Sequence, residues 1–200
     1  MEKKEIKLGE ICDLQNGCSF SSKDYVEESD VLNCRMSNIR PNGTFDDEYA
    51  KKYLPNEYAE KYKDWLLKDG DVIITMTDMA DNPKILGVPT TVNTNGKTFL
   101  MNQRVGKLIF TDKEVNKDFV KYNLLASKHK AYYKRLAGGG LQLNISKKDI
   151  LNLPIAMYSK EDQNIITEEL DTISDLIAIR KQQLSDLENL LQGKIDEYFN

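Results

Sequence analysis

Cysteine and histidine are scarce in this chain, with three Cys and a single His among 200 residues. Cys12, Cys18 and Cys34 form no C-x-x-C pair, and with only His129 beside them the ligands are too few and wrongly spaced for a structural zinc site. Free thiols in a reducing compartment are the expectation. No apolar run approaches the roughly 20 residues that span a bilayer, and the opening "MEKKEIKLGE" lacks the apolar core of a signal peptide. The chain is therefore expected in the cytoplasm. Neither a G-x-x-x-x-G-K-[ST] loop nor a G-x-G-x-x-G is present, which excludes nucleotide binding by those routes. No gathering of carboxylates and lysine suggests a metal-dependent nuclease, and "DNPK" (81–84) does not match the Asn/Asp-Pro-Pro-aromatic signature of amino-methyltransferases. No catalytic constellation and no cofactor is expected. His129, set among lysines, reads as a solvated or phosphate-facing imidazole.

What the chain does have is charge, unevenly placed. The formal net charge is −4. Residues 160–200 hold ten acidic and four basic side chains, leaving 22 acidic and 24 basic in residues 1–159. The front part is thus about +2 and the tail −6, two pieces that suit different partners.

Residues 1–157 read as an α+β domain, because strand and helix signals are mixed without a regular βαβ repeat. "EIKLGEICDLQNG" (5–17) predicts a short amphipathic helix closed by Gly17, and "VLNCRMSNI" (31–39) a strand leading into turn chemistry at Pro41 and Asn42-Gly43. "NEYAEKYKDWLL" (56–67) predicts a helix, with Tyr58, Tyr62 and Trp65 on one face. "KDGDVIITMT" predicts a turn feeding an apolar strand. Beyond it, two strands joined at Asn95-Gly96 are expected as a hairpin. Residues 116–137 predict a strong helix capped by Asn116 and ending at the Gly138-Gly139-Gly140 run.

The tail, residues 158–200, is a different object. From Glu161 to Phe199 there is no proline and one glycine, Gly193. Alternating steps of four and three from Ile166 reach Leu170, Ile173, Ile177, Arg180, Leu184, Leu187, Leu191, Lys194 and Tyr198. Eight of these ten are apolar or aromatic, which makes a heptad seam. Arg180 and Lys194 have long apolar stems that can lie along it. A helix about 60 Å long cannot bury this stripe on its own domain, so pairing with another long helix is expected. The interface residues would be Ile166, Leu170, Ile173, Ile177, Leu184, Leu187, Leu191 and Tyr198.

"GKTFLMNQRVGKLIF" (96–110) poses the functional question. Asn102, Gln103 and Arg104 stand side by side in an otherwise strand-like run, and alternation cannot send all three to solvent. They could end a strand in water, form a buried polar network, or belong to a surface that reads base edges, since Asn, Gln and Arg suit paired hydrogen bonds with bases.

Several of these segments, taken in order, resemble the specificity subunit of type I restriction-modification systems. They are Lys7-Leu8-Gly9, Asp69-Gly70-Asp71-Val72-Ile73, Asn102-Gln103-Arg104, the Gly-rich stretch from Gly138 to Ile155, and Asp162-Gln163 leading into the long helix. The resemblance covers essentially the whole chain. It departs at "AMYSKEDQ", where the family has a proline-rich "PLPPl.EQ". It also departs in number, because the family commonly carries two recognition domains and two spacer helices per chain. The resemblance implies a non-enzymatic subunit that reads half of a bipartite double-stranded DNA target. It also implies a homodimer, and docking to methyltransferase subunits and, through them, a restriction subunit.

The resemblance directs attention to candidate DNA contacts. For bases they are Arg35, Ser37, Asn38 and Arg40 beside a strand end, then Gln103 and Arg104, with a structural role for Asn102 in satisfying buried backbone. For phosphate they lie on the basic helix, where Lys117, Lys121, Lys128, Lys130, Lys134 and Arg135 face a single Asp118; a merely solvated face is the alternative. Gly139, Gln142 and Asn144 could lie close to the backbone or groove. Two further readings compete: a coiled-coil adaptor without DNA binding, and the detached recognition part of a combined nuclease-methyltransferase.

Overall fold

The computed structural model describes residues 1–138 and 140–199. Gly139 falls outside the described residues. The elements in chain order are β1 (Lys4–Lys7), β2 (Cys12–Asn16), β3 (Val31–Cys34), β4 (Tyr53–Leu54), α1 (Tyr58–Lys61), β5 (Val72–Thr75), β6 (Thr77–Met79), β7 (Pro89–Thr91), β8 (Thr98–Met101), β9 (Val105–Phe110), α2 (Lys117–Leu124), α3 (Ser127–Leu136), β10 (Gln142–Asn144), α4 (Lys147–Leu151), β11 (Pro154–Met157) and α5 (Lys160–Phe199). The fold is α+β.

An antiparallel four-stranded sheet, β2-β9-β5-β7, forms the middle layer. Both its faces are covered, which is why all four residues of "VIIT" in β5 are buried and the strand does not alternate. Val72 and Ile74 point into a core with Leu14, Leu108, Phe119, Val120, Leu124 and Tyr133, beneath α2, α3 and α4. Ile73 points the other way, into a core with Leu32, Val88, Phe99, Met101 and Val105 under the three-stranded sheet β4-β3-β8.

Several sequence expectations are corrected here. Residues 5–17 are not a helix: β1, a 3-10 turn at Leu8–Glu10 and β2 replace it. The apolar spacing there arises because Ile6 joins β11 while Cys12 and Leu14 join β9. Gly17 caps nothing. It lets the chain pass Asn102, whose carbonyl oxygen would lie 2.0 Å from a Cβ at that position. The strand expected over 31–39 stops at Cys34 and turns at Met36–Asn38. Residues 56–67 form only α1 and a 3-10 turn (Lys63–Trp65), because Leu66 and Leu67 are drawn into backbone pairing with Leu100 and Phe99. The aromatic spacing survives as a cluster of tilted rings, with Tyr58–Tyr62 centroids 4.9 Å apart.

Asn95 and Gly96 both take positive φ, as such a turn requires, yet β7 and β8 do not pair. β7 joins β5, and β8 runs parallel to β3. The helix expected over 116–137 starts at its cap, where the Asn116 side chain accepts from the Asp118 and Phe119 N–H groups. It breaks at Ala126, which is extended. No proline or glycine marks the break. Leu125 packs against the core that holds Phe99 and Met101, and the Asn123 amide donates to the Ala156 carbonyl at 2.6 Å. His129 is not solvated: it is 2% exposed, with Nε2 3.2 Å from Asn123 Oδ1.

The long helix α5 is rooted by Gln163. Its Oε1 accepts from the Asn116 N–H at 3.0 Å and its Nε2 donates to the Tyr158 carbonyl at 3.0 Å. Asn116 Nδ2 donates to Asn164, Lys160 pairs with Glu114, and the Tyr122 hydroxyl donates to Asp171 at 2.6 Å. Burial and the Asp171 carboxylate push that hydroxyl up to about 12, so it stays a donor across the working pH range. From Asp171 to Phe199 the helix is exposed. Among the described residues no helix is long and apolar enough to cross a membrane.

Burial lowers the His129 pKa to about 4. In the unfolded chain, near 6.5, it binds its proton more readily, so its stabilising contribution is present above pH 6.5 and is lost as pH falls toward 4. Denaturant titrations at pH 7 and pH 4.5 should show His129→Gln losing about 2 kcal/mol less than wild type over that interval.

Candidate nucleic-acid interface

Because β3 and β8 are parallel neighbours in register, with Cys34 opposite Met101, their carboxyl ends emerge side by side. The segments that leave the two strands therefore meet. Arg35, Met36 and Ser37 line one wall of a cleft of about 450 Å³ and Asn102, Gln103 and Arg104 another, with Phe20, Tyr25, Tyr49 and Ala50 completing it. Asn102-Gln103-Arg104 is thus a crossing between two sheets and not strand interior, and this explains why alternation fails there. Asn102 is the buried member. Its N–H donates to the Cys34 carbonyl and its Oδ1 accepts from the Arg104 N–H at 3.2 Å. Gln103 is exposed and Arg104 half-buried.

Asn38 is corrected. It is 3% exposed, its Oδ1 accepts from the Arg35 N–H at 2.9 Å, and its Nδ2 donates to the Asp46 and Tyr49 carbonyls. Buried and bonded to backbone on both sides, its amide shapes the Arg35–Tyr49 loop. Arg40 lies 4.3 Å from the Tyr49 ring centroid and 3.9 Å from Asp46. Ser37 Oγ is buried and has no hydrogen-bond partner among the described residues.

A second hollow continues from the cleft, sharing Ser37 and Tyr49 with it and adding Arg40, Met79, Asn82 and Lys84. Lys84 in turn shares a third hollow with Lys130, Ala131 and Lys134. One surface thus runs from Arg104 to Lys134, carrying Arg35, Arg40, Lys84 and Lys130 between them. Beside it β10 pairs with β6, Gln142 opposite Met79. Asn144 is exposed, with Oδ1 accepting from Thr77 and its amide turned to the Gln142 carbonyl at 3.4 Å.

Asn82 and Lys84 were not foreseen. They reach this surface because the Asp78 carboxylate, buried at 5% exposure, folds their loop back. Its Oδ2 accepts from the Lys84, Ile85 and Leu86 N–H groups at 2.6, 2.5 and 2.9 Å, and its Oδ1 from Met79 at 2.8 Å. Asp in a DMADNPK stretch looks like ordinary loop composition, so spacing alone could not single them out.

The basic helix divides. Lys130, whose Nζ also donates to the Pro41 carbonyl, and Lys134 join the surface, and Arg135 is exposed on the same helix. Lys128 does not join. It lines a separate groove with Tyr122, Ala126, Tyr158, Ile166 and Leu170 at the root of α5. Lys121 pairs with Asp118 at 3.0 Å. In the seam, Ile166 packs against the core beneath α2, α3 and α4, and both Ile166 and Leu170 are half-buried on their own domain. Ile173, Ile177, Leu184, Leu187, Leu191 and Tyr198 are 47–72% exposed. Cys12 and Cys34 are buried, which pushes both thiols up to about 12. Among the described residues no group of His, Cys, Asp and Glu side chains is placed to hold a metal ion.

A family model described as the type I restriction modification DNA specificity domain matches residues 1–189. The MjaVIII type I restriction enzyme specificity subunit of Methanocaldococcus jannaschii is 28% identical over 199 residues, covering 95% of this chain and 45% of that protein. The chain thus spans about half the length of the curated relative it matches. Two solved structures share the fold. One, from work on complex assembly and conformational transition of the type I R-M system, has a TM-score of 0.63 at 20% identity and covers 95% of this chain and 43% of its own. The other, a type I restriction-modification S subunit from M. genitalium, has a TM-score of 0.57 at 17% identity and covers 98% and 44%. With its recognition-domain motifs in order and the family match running from residue 1 into the long helix, this chain belongs to the type I restriction-modification DNA specificity domain family.

Proposed function

We propose that this chain is the DNA-reading component of a type I restriction-modification system, that it reads one half of a bipartite target, and that it acts as a homodimer joined through α5. The observation that carries the reading is the continuous surface from Arg104 to Lys134, on which two clusters far apart in sequence share one cleft. Arg35, Gln103 and Arg104 have the donor geometry that suits base edges, while Lys84, Lys130 and Lys134 suit phosphates, which position the protein without reading sequence. The division at about residue 157 separates a near-neutral reading domain from an acidic helix whose exposed faces suit protein partners. Methyltransferase subunits, and a restriction subunit through them, are the partners this reading assigns to the helix, with the chemistry supplied by them and not by this chain.

The paired helix covers an apolar stripe that a monomer leaves in water. Sedimentation should find wild type dimeric at micromolar concentration and Leu184→Asp with Leu187→Asp monomeric, because the double variant places four carboxylates in one apolar interface. A monomeric wild type removes the half-subunit arrangement.

DNA binding should be strongly salt-dependent, since each neutralised phosphate releases counterions. Lys130→Ala with Lys134→Ala should weaken binding to all sequences alike and make the log–log salt slope shallower by roughly two. Gln103→Ala should alter sequence preference and leave that slope unchanged. A double-lysine variant with the wild-type slope would move the phosphate contacts off this surface.

A further inference from the structure

The loop over residues 46–51 carries three acidic side chains in a row, Asp46, Asp47 and Glu48, beside a surface lined by Arg35, Arg40 and Lys84. Left unpaired, they would repel the phosphates assigned to that surface. Each is engaged elsewhere. Asp46 Oδ1 folds back to accept from the Glu48 and Tyr49 N–H groups at 3.3 and 3.0 Å. Lys97 Nζ, just before β8, reaches Asp47 Oδ2 at 2.5 Å and also pairs with Glu48 Oε1. Asn95 Nδ2 donates to Asp47 at 3.1 Å, and Lys51 pairs with Glu48 at 2.5 Å. The Lys97 ammonium, with the Asn95 amide, holds the Asp47 carboxyl below the usual carboxylate range, so the clasp stays charged at neutral pH. Lys97 itself lines a separate hollow with Ser29, Lys51 and Tyr53, and none of the three hollows of the basic surface.

What the clasp fixes is Tyr49. Its carbonyl accepts from Asn38 Nδ2 at 3.3 Å, and the next residue, Ala50, has φ of 51°, a left-handed conformation that a residue with a Cβ seldom adopts. Such backbone persists only where its surroundings over-determine it, and it gathers at functional sites. The Tyr49 ring is 50% exposed and borders both the cleft and the hollow that continues from it. One face lies under the Arg40 guanidinium, 4.3 Å from the ring centroid. Among the described residues its hydroxyl has no hydrogen-bond partner. A ring held on both sides thus brings a donor and an acceptor to the reading surface at little cost in side-chain freedom. We propose that Tyr49 is a specificity-determining residue, its hydroxyl meeting a base edge of the half-site, and that Lys97 positions it from outside the reading surface. The proposal rests on the DNA-reading function above and deepens it: one residue reads, and a second touches no DNA but sets the place of the reader.

Selection from a pool of randomised duplex DNA tests both roles. Wild type should enrich one half-site sequence. Tyr49→Phe keeps the ring and its Arg40 contact and removes only the hydroxyl. It should lower discrimination at one position by about tenfold, in line with the cost of a single mismatched base pair. Lys97→Met should relax the same position, and Lys97→Arg should restore it. In a Tyr49→Phe background Lys97→Met should change nothing further, because both act through one hydroxyl. Amide exchange over residues 46–51 should be faster in Lys97→Met than in wild type. A purely structural role for Lys97 would lower the midpoint of thermal unfolding and leave the preference as it was. Unchanged preference in Tyr49→Phe would overturn the reading role. A Lys97→Met protein that keeps the wild-type preference, or relaxes a different position, would overturn the positioning role. Wild type that enriches no sequence would overturn the DNA-reading function and this inference with it, whereas enrichment by wild type and by unchanged variants would overturn this inference alone.

Discussion

The parallel pairing of β3 with β8 is the constraint on which the candidate interface depends. Parallel neighbours in register end together, so Cys34 opposite Met101 forces the segments after them to share one edge. Everything polar in the cleft depends on that edge. Asn102 holds the crossing by satisfying the Arg104 N–H, and Asn38 does the same for Arg35. With both amides turned inward to backbone, Arg35, Gln103 and Arg104 are left to face outward. Buried amides that complete backbone hydrogen bonding thus shape a rim whose remaining side chains are free to differ without disturbing the fold.

A second constraint sits at the other end of the domain. β1 pairs with β11, which holds the segment before α5 against the start of the chain, and Gln163 bonds the first turn of α5 to the cap of α2. The helix therefore leaves the domain in a direction set by several hydrogen bonds and an ion pair. Under the proposed homodimer, a firm root matters as much as the length of the helix, since a loose joint would blur the distance between the two domains. The family's acidic-Gln step into the long helix, here Asp162-Gln163, has a physical reason in this geometry. The glutamine offers both an acceptor and a donor at a buried joint, where neither an acid nor an apolar side chain could replace it.

The pieces of this protein were legible to different degrees. The 40-residue helix, its heptad stripe, the acidic tail, the Asn116 cap and the strand after Asp69-Gly70 could all be read directly, because each depends on residues close in sequence: period, capping chemistry and turn chemistry. The clusters at Arg35–Arg40 and Gln103–Arg104 were visible as polar interruptions in apolar runs. Tertiary contacts alone decided the rest. They turned residues 5–17 from a helical pattern into two strands, broke a strong helix at Ala126 without a breaker, and buried His129 among lysines that face outward. They also turned the Asn38 amide inward to backbone and brought Asn82 and Lys84 to the surface beside Arg40 through the Asp78 carboxylate. Local periodicity reports which side chains avoid water, whereas which loops lie together is set by strand pairing between residues some 70 positions apart, and no pattern along the chain encodes that.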